Sequence, residues 1–496
     1  GRADKQPTTE HEPFPSQVTQ TAQSKLSSGR MVLYAMSGFG IGCIDFIVAV
    51  YLLKYYTDHV AMSAALAGLA LMLGKLFDGV SDPVMGYISD RTRTRWGRRR
   101  PWFMVGMAPL ALSFIALFSA ESGWSQTELF LWLLSWNVLF WSAQTVINVP
   151  HAALAGEMVE GHEERNAIMG WREVMSQVGL LIGASAPLMV LGTMQQGAVD
   201  AALAQGMGEE AARAAGMVAR GEAHGTMAWQ FAGLVFVGVL LSFVGTREPD
   251  TPRAPPRESI FGDFSDTLKS TPFRHFIIIF FFDQIASGLT ATLVLYTIRD
   301  WWQFGGSHEM LLIIVFILSA IASIPLWVRL GRRLEKATIF AVGSFLSAAM
   351  LLGATMVPVF GIGLAYVGLI GAGIGSGARG VMAMSTMPDI IDDDELRTHT
   401  RKDGAYFGMW SVLRKTTRAF SIGAVGLGLG FWGYREGALV QPESAVQGIM
   451  WMFSIIPGIA SAICGLLFLR FPITRAIHKA TIEELGRRRL AALEKP

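Results

Sequence analysis

Long apolar stretches separated by short polar segments run along most of the chain. A helix needs about 20 apolar residues to cross a lipid bilayer, and stretches of roughly that length recur throughout the sequence. Internal prolines such as Pro109 and Pro187 are compatible with such helices, because neighbouring helices satisfy the freed backbone groups. The pattern predicts twelve membrane-spanning helices, over residues 31–56, 63–89, 101–119, 128–154, 167–192, 226–246, 274–298, 310–328, 337–357, 359–387, 405–430 and 447–469.

The composition agrees with this pattern. Of the 496 residues, 51% are apolar and only 16% are charged, whereas soluble domains carry about 25% charged residues. The chain therefore has too few charges to cover a water-facing surface, which excludes disordered proteins and small secreted scaffolds. A net charge of +2 gives no basic surface for nucleic acid. Cys43 and Cys464 lie in apolar stretches, where neither a disulfide nor a zinc site is expected.

Lysine and arginine are distributed unequally between the loops. Cytoplasmic loops of membrane proteins carry an excess of basic residues, and an Arg-rich segment over 91–100 is expected to pair with acidic residues on the same side and latch one conformation. The opposite loops contain Arg213, Arg220 and Arg435. Both termini are therefore expected in the cytoplasm. The basic side comprises the two tails and the segments 90–100, 155–166, 247–272, 329–336 and 388–404.

The predicted helices divide into two groups of six. A Pro- and charge-containing segment, 247–272, is expected to form a cytoplasmic linker between an N-terminal half over 29–246 and a C-terminal half over 273–470. The repeated Gly-Arg-Arg at 97–99 and 331–333 indicates internal repetition, which is typical of transporters whose halves rock about a substrate site. The remaining expected segments are a disordered cytoplasmic tail over 1–28, an external Ala-rich amphipathic helix over 193–225 and a cytoplasmic tail over 471–496.

Two acidic residues lie inside the second predicted helix. Inserting a charged side chain at mid-membrane costs at least about 2.5–3.5 kcal/mol of free energy. Asp78 and Asp82 are four residues apart and therefore on one helix face, where they repel unless a cation or a proton neutralises them. Ser81 and Thr145 offer further oxygen ligands, and such ligands suit Na⁺ or H⁺ rather than a transition metal. In the alternative interpretation, Lys75 merely neutralises Asp78 in a static pair.

The second half contains several basic residues within predicted helices. Arg414 and Arg418 lie on one face of the eleventh helix with Lys415 beside them, and Arg379 lies in the tenth. In one interpretation they pair with the aspartates at the cytoplasmic end of helix ten. In the other they form a cavity for a carboxylate, sulfonate or phosphate, which guanidinium groups match in geometry. Asp283 in helix seven either pairs with a helix-eleven base or contacts the substrate.

Two motifs resemble those of a known family. The first is Asp-Gly-Val-Ser-Asp-Pro-Val-Met-Gly over 78–86, followed by an Arg-rich loop over 90–102; the second is Pro-Asp-Ile-Ile-Asp-Asp-Asp-Glu-Leu over 388–396. On these motifs the chain from about residue 30 to 475 resembles the glycoside–pentoside–hexuronide:cation symporters of the major facilitator superfamily, typified by the melibiose permease. Residues 149–154 and 387–393 are also similar to the sodium-dependent lysophospholipid transporters.

The resemblance implies an all-α membrane protein with the major facilitator fold, 12 transmembrane helices in two pseudo-symmetric six-helix halves. Ser81 stands where the permease carries Asn, and Asn148 and Ala152 replace a sugar-binding aspartate and a stacking tryptophan, so galactoside specificity is not expected. With the patterns above, the expected cation ligands are Asp78, Asp82, Ser81 and Thr145, with Na⁺ on the two aspartates. The expected substrate-binding residues are Asp45, Arg172, Asn148, Lys415, Arg379 and Arg414.

The sequence therefore predicts a cation-coupled symporter, with Na⁺ favoured over H⁺, that carries a glycoside or an anionic sugar such as a hexuronide by alternating access. The alternatives are sodium-dependent transport of a lysophospholipid or another anionic amphiphile, and an uncoupled facilitator. No nucleophile–base pair appears, so no enzyme is predicted. We expect a monomer in a bacterial inner membrane, with no cofactor beyond the coupling ion and no nucleic-acid partner.

Overall fold

The structure is a computed structural model that describes residues 27–159, 162–248, 265–438 and 440–493. Regular structure in these residues is helical, apart from an isolated bridge between Thr94 and Gly97. This architecture confirms the all-α prediction. Residues 1–26 of the expected tail over 1–28 and most of the expected linker over 247–272 lie outside the described residues.

Six long helices make up each half of the described chain. In the N-terminal half they are α1 (Ser28–Val50), continued by a short helix over Leu52–Asp58, α2 (Ala64–Arg91), α3 (Pro101–Leu117), α4 (Gln126–Met158), α5 (His162–Ala204) and α6 (Glu209–Gly245). In the C-terminal half they are α7 (Thr271–Tyr296), α8 (Ser307–Gly331), α9 (Lys336–Gly353), α10 (Ile362–Thr398), α11 (Asp403–Phe431) and α12 (Glu443–Phe468), before a final helix α13 (Arg475–Leu493).

Ten of these helices are long and apolar enough to cross a membrane, and α3 is a shorter apolar helix. The remaining helix of the twelve is α11, which contains Arg414, Lys415 and Arg418 within its length. Local signals fix several boundaries: Pro101 occupies the start of α3, and Ser125 with Glu128 forms a capping box at the start of α4. Such caps satisfy backbone N–H groups that have no partner inside the helix.

Three segments differ from the predicted boundaries. The predicted separate helix over 193–225 is instead the end of α5 and the beginning of α6, joined by a turn in which Gly206 has φ +80°. Alanine favours helix regardless of burial, so both helices continue beyond their apolar stretches. The acidic segment predicted as a loop forms the last turns of α10, and most of the predicted C-terminal tail forms α13.

The helices alternate in direction, so the bundle has two ends. We call the end with residues 92–100, 332–335 and 399–402 the terminal end, because both described chain ends lie there; the other is the opposite end. Small residues allow the halves to approach closely: a Cβ atom on Gly68 of α2 would lie 2.7 Å from the Cα atom of Gly426 in α11. This crossing brings α2 and α11 together, and with them the charged residues of both helices.

Candidate cation and substrate site

Two aspartates of α2 meet a lysine of α11 between the halves. The Lys415 Nζ atom lies 3.0 Å from Asp78 Oδ1 and 2.5 Å from Asp82 Oδ2. From α4, the Thr145 Oγ1 atom lies 2.9 Å from Asp78 Oδ1 and 3.0 Å from Asp82 Oδ1. The structure thus brings the predicted cation ligands Asp78, Asp82 and Thr145 together, with an ammonium group of the other half in contact with both carboxylates.

A second lysine reaches Asp78 from within α2. The Lys75 Nζ atom lies 2.9 Å from Asp78 Oδ2 and 3.1 Å from the centre of the Trp141 ring. The static pair of Lys75 and Asp78, foreseen as an alternative, therefore exists beside the predicted cation ligands. The Ser81 hydroxyl lies 3.0 Å from the Asp78 carbonyl oxygen and 3.1 Å from Thr145 Oγ1, so it supports Thr145 and does not contact either carboxylate.

This group of residues, which we call the carboxylate cluster (Lys75, Asp78, Ser81, Asp82, Thr145 and Lys415), contains two carboxylates and two ammonium groups. Its formal charge is zero. Asp78 is almost fully buried, whereas the side chains of Asp82 and Lys415 are 32% and 23% exposed. A further cation has to displace an ammonium group if the cluster is to stay neutral, and Lys415 is the more exposed of the two lysines.

The predicted substrate residues of the N-terminal half are not in direct contact with one another. Asp45 of α1 accepts a hydrogen bond from Gln144 of α4, and it is close enough to Lys75 to interact electrostatically. Asn148 lies half-buried one turn after Thr145. Arg172 of α5 is half-buried, and none of the described carboxylates lies within salt-bridge distance of it. Sequence reasoning missed Gln144, whose only signal is its place beside Thr145.

Two predictions for the basic residues of the C-terminal half need correction. Asp283 of α7 pairs with Arg379 of α10, at 3.1 Å between Oδ1 and Nε, and not with a base of α11. The aspartates of α10 are occupied by other partners, namely Lys336 with Asp389, Arg401 with Asp392 and Arg397 with Asp393. Arg414 is exposed, and its guanidinium lies 5.5 Å from the centre of the Trp410 ring.

Arg379 and Arg418 line a cavity of about 260 Å³ between α1 and the C-terminal half. Arg418 follows Lys415 by one helix turn, so the cavity adjoins the carboxylate cluster. We call it the arginine cavity. Most of its wall is apolar, with contributions from Phe46 of α1, Phe316 of α8 and Phe453 of α12. The three basic residues expected to bind substrate therefore lie in different places. Arg379 lines this cavity, Lys415 belongs to the carboxylate cluster, and Arg414 lies outside both.

Two helical halves with a charged cluster between them define the class of secondary transporters. The chain matches the family described as MFS/sugar transport protein over residues 33–475, and it therefore belongs to that family. This confirms the predicted major facilitator fold in a multi-pass membrane protein, and it identifies a transporter, not an enzyme.

Relatives of the chain include transporters with different named substrates. The chain is 24% identical to the glucuronide carrier protein homolog of Escherichia coli over 89% of its own length and 92% of that protein. It is 24% identical to the sodium-dependent lysophosphatidylcholine symporter 1-A of Danio rerio over 89% and 83%. Among solved structures, a bacterial homologue of the lysosomal transporter Spinster has a TM-score of 0.67 at 12% identity, covering 92% of this chain and all of that one.

Proposed function

We propose that the protein is a cation-coupled symporter, with Na⁺ as the coupling ion and Asp78, Asp82 and Thr145 as its ligands. The observation that carries this proposal is the position of Lys415, whose ammonium group lies against both carboxylates. A positive charge at this position neutralises two like charges that would otherwise repel. The same carboxylates can accept a metal cation once the lysine moves away.

The proposed coupling follows from the charge balance of the carboxylate cluster. When Na⁺ binds between Asp78 and Asp82, Lys415 leaves, and its charge becomes available to an anionic substrate. The substrate in turn holds Lys415 away from the carboxylates and so favours Na⁺ binding. Each ligand then raises the affinity for the other by the same factor, as thermodynamic linkage requires. Because Lys415 belongs to the other half, this exchange also changes a contact between the halves.

For the substrate, we propose a glycoside or an anionic sugar such as a hexuronide. Asp45 with Gln144, and Asn148, offer hydrogen-bonding groups for sugar hydroxyls. Arg172, which pairs with none of the described carboxylates, offers a guanidinium for a carboxylate. The glucuronide carrier protein homolog among the relatives supports this choice. A lysophospholipid is the second candidate, supported by the lysophosphatidylcholine symporter among the relatives.

The experiment that tests coupling is thermal unfolding of the purified protein with and without Na⁺, and with neutral glycosides, uronides, sulfonated sugars and lysophospholipids. A ligand at 100 times its Kd stabilises the folded state by about 2.7 kcal/mol. We expect Na⁺ to stabilise the protein and to strengthen the effect of the substrate. Asp82→Asn should abolish both effects, because it removes half of the negative charge available to the cation.

The matched control is Asp266→Asn, a partly exposed aspartate just before α7 that pairs with Lys269 and Lys402. It should leave the response to Na⁺ unchanged. Sodium-dependent stabilisation of Asp82→Asn equal to that of the unaltered protein would disprove the cation site. Stabilisation by substrate that is independent of Na⁺ in every variant would indicate an uncoupled facilitator.

We further propose that the terminal end faces the cytoplasm of a bacterial cell and that the protein functions as a monomer. The Arg-rich loop over 92–100 lies at this end, in agreement with the excess of basic residues in cytoplasmic loops. In intact cells, a membrane-impermeant thiol reagent should label a cysteine introduced at Ala438, at the opposite end, and not one at Thr400. The reverse pattern would contradict the orientation.

A further inference from the structure

The lining of the arginine cavity consists of many apolar side chains and a few polar groups. Its wall is formed mainly by apolar side chains of α1, α7, α8, α9, α10 and α12, and its polar groups are a few hydroxyls and two guanidinium groups. A site for a sugar alone would need many hydrogen-bonding groups, one or more for each hydroxyl. The hydroxyls in the lining are Ser287, Thr290, Ser347 and Ser376.

Arg418 contributes a positive charge to this cavity, and no described side chain neutralises that charge by direct contact. Among the described residues it has no ion pair or hydrogen bond, although a charged side chain within a membrane helix normally pairs with another group. Asp45 influences Arg418 electrostatically, but it lies beyond salt-bridge distance and accepts its hydrogen bond from Gln144. The guanidinium of Arg418 therefore lines the cavity with its donors free.

Arg379 lines the cavity but adds no net charge to it, because its guanidinium is paired with a carboxylate. Asp283 lies 3.1 Å from its Nε atom, and the Ser461 hydroxyl lies 3.5 Å from its Nη1 atom. The pair of Arg379 and Asp283 is formally neutral, so the two arginines together with Asp283 leave the cavity with a charge of +1. This charge complements one anionic group.

The size of the cavity limits the apolar part of a ligand. A cavity of 150 Å³ holds benzene, so about 260 Å³ accommodates a ring of that size together with a small anionic group. A long acyl chain is too large for this space. The carboxylate cluster lies one helix turn away, at Lys415.

We infer that the arginine cavity is a substrate subsite that binds one anionic group, at Arg418 and Arg379, together with an aryl group. The anion forms a forked pair with the Arg418 guanidinium, and the apolar group lies between Phe46, Phe316 and Phe453. This inference rests on the proposed function, since it assumes that the space between the halves receives a transported molecule. It narrows the substrate to molecules in which an anion and a small apolar group are joined.

The test uses three probes of similar shape and different chemistry. They are 4-phenylbutyrate, which has both groups, 4-phenylbutanamide, which lacks the charge, and butyrate, which lacks the ring. We expect 4-phenylbutyrate to raise the unfolding temperature of the purified protein and the other two to have little effect. Equal effects of the amide and the acid, or no effect of any probe, would overturn the inference.

Variants of single arginines then test whether 4-phenylbutyrate binds in the arginine cavity. Arg418→Gln should weaken the binding of 4-phenylbutyrate about tenfold or more, since it removes a charged hydrogen-bonding partner. Arg414→Gln is the matched control, because Arg414 lies one turn earlier on the same helix but outside the cavity. Equal weakening in both variants, or unchanged binding in Arg418→Gln, would contradict the assignment.

Arg418→Lys keeps the charge but not the planar fork, and it should show intermediate affinity if the glutamine variant fails to fold. Stabilisation by Na⁺ is measured in the same samples. A loss of 4-phenylbutyrate binding with an intact response to Na⁺ supports the subsite, and Na⁺ stabilisation without any binding of the probe leaves only the coupling proposal standing. Binding of 4-phenylbutyrate without any response to Na⁺ would support the subsite and contradict the coupling.

Discussion

The two ends of the bundle differ in their ion pairs. At the opposite end some of the described ion pairs join the two halves, whereas at the terminal end each described pair lies within one half. At the opposite end, Lys54 of the N-terminal half lies 3.0 Å from Asp58 of its own half and 2.7 Å from Asp300 of the C-terminal half. The Tyr434 hydroxyl donates to Asp58 over 2.7 Å. These groups are mostly buried, so the halves are joined here by charges that are largely shielded from water.

A second connection at the same end involves the extension of α5 and α6. The Arg220 guanidinium of α6 lies 2.9 Å from Glu309 of α8 and 2.8 Å from the Gln195 side chain of α5. Arg299 also lies 3.4 Å from Glu309. The Ala-rich hairpin, which appears in the sequence as an insertion without evident purpose, thus places a buried arginine on a carboxylate of the other half.

At the terminal end, by contrast, the described ion pairs stay within one half. Arg98 and Arg99 both contact Glu157, and the backbone N–H groups of these arginines donate to Glu248. In the C-terminal half, Lys336 contacts Asp389. The Arg-rich loop therefore does pair with acidic residues on its own side, but none of its described ion pairs connects the halves. The comparison indicates a state that is closed at the opposite end.

Spin-label distances across each end can measure this difference. Glu121→Cys with Ala438→Cys reports on the opposite end, and Arg95→Cys with Thr400→Cys reports on the terminal end, since all four positions are exposed. The two native cysteines are fully buried, which favours selective labelling. The ratio of short to long distances gives the balance between the conformations.

The largest change is expected for Lys54→Met. It leaves Asp58 and Asp300 buried near each other without their shared cation, and removing one partner of a buried pair costs about 3–5 kcal/mol. The balance should shift by a factor of about 10²–10⁴ towards opening at the opposite end, with longer distances there and shorter ones at the terminal end. Unchanged distances would mean that these charges do not hold the halves together.

A smaller shift is expected for Arg220→Gln. Glu309 keeps Arg299 as a partner, so the loss is limited to a charged hydrogen bond of about 1.5–3 kcal/mol. The opposite end should open about 10- to 100-fold more often. Arg213→Gln on the same helix is the control, because among the described residues Arg213 pairs with Glu209 alone, at the exposed surface. An equal shift in both variants would exclude a specific role for Arg220.

The smallest effect is expected for Arg98→Gln. This arginine is partly exposed and its partners belong to its own half, and such pairs contribute about 0–1 kcal/mol. Neither label distance should change appreciably, although the melting temperature can fall slightly. A shift as large as that of Lys54→Met would show that the Arg-rich loop restrains the halves after all.

The two aspartates proposed as cation ligands could be selected from the sequence because the relevant information is local. Asp78 and Asp82 share a helix face through their spacing alone, and their cost in a membrane helix makes them candidates for a functional site. Lys415 is 333 positions from Asp82 along the chain, and its contact with both aspartates depends on how α2 and α11 cross at Gly68 and Gly426. No periodicity in the sequence encodes that crossing.

Apolar length and charge placement were enough to predict a helical membrane protein in two halves, since both follow directly from the cost of exposing polar groups to lipid. They also show which charges inside the helices need a partner. Which partner each charge has depends on how the helices pack: Asp283 pairs with Arg379, Lys54 with Asp300, and Arg418 with none of the described residues. Coulomb attraction acts over a few ångströms in space, and distance along the chain does not limit it.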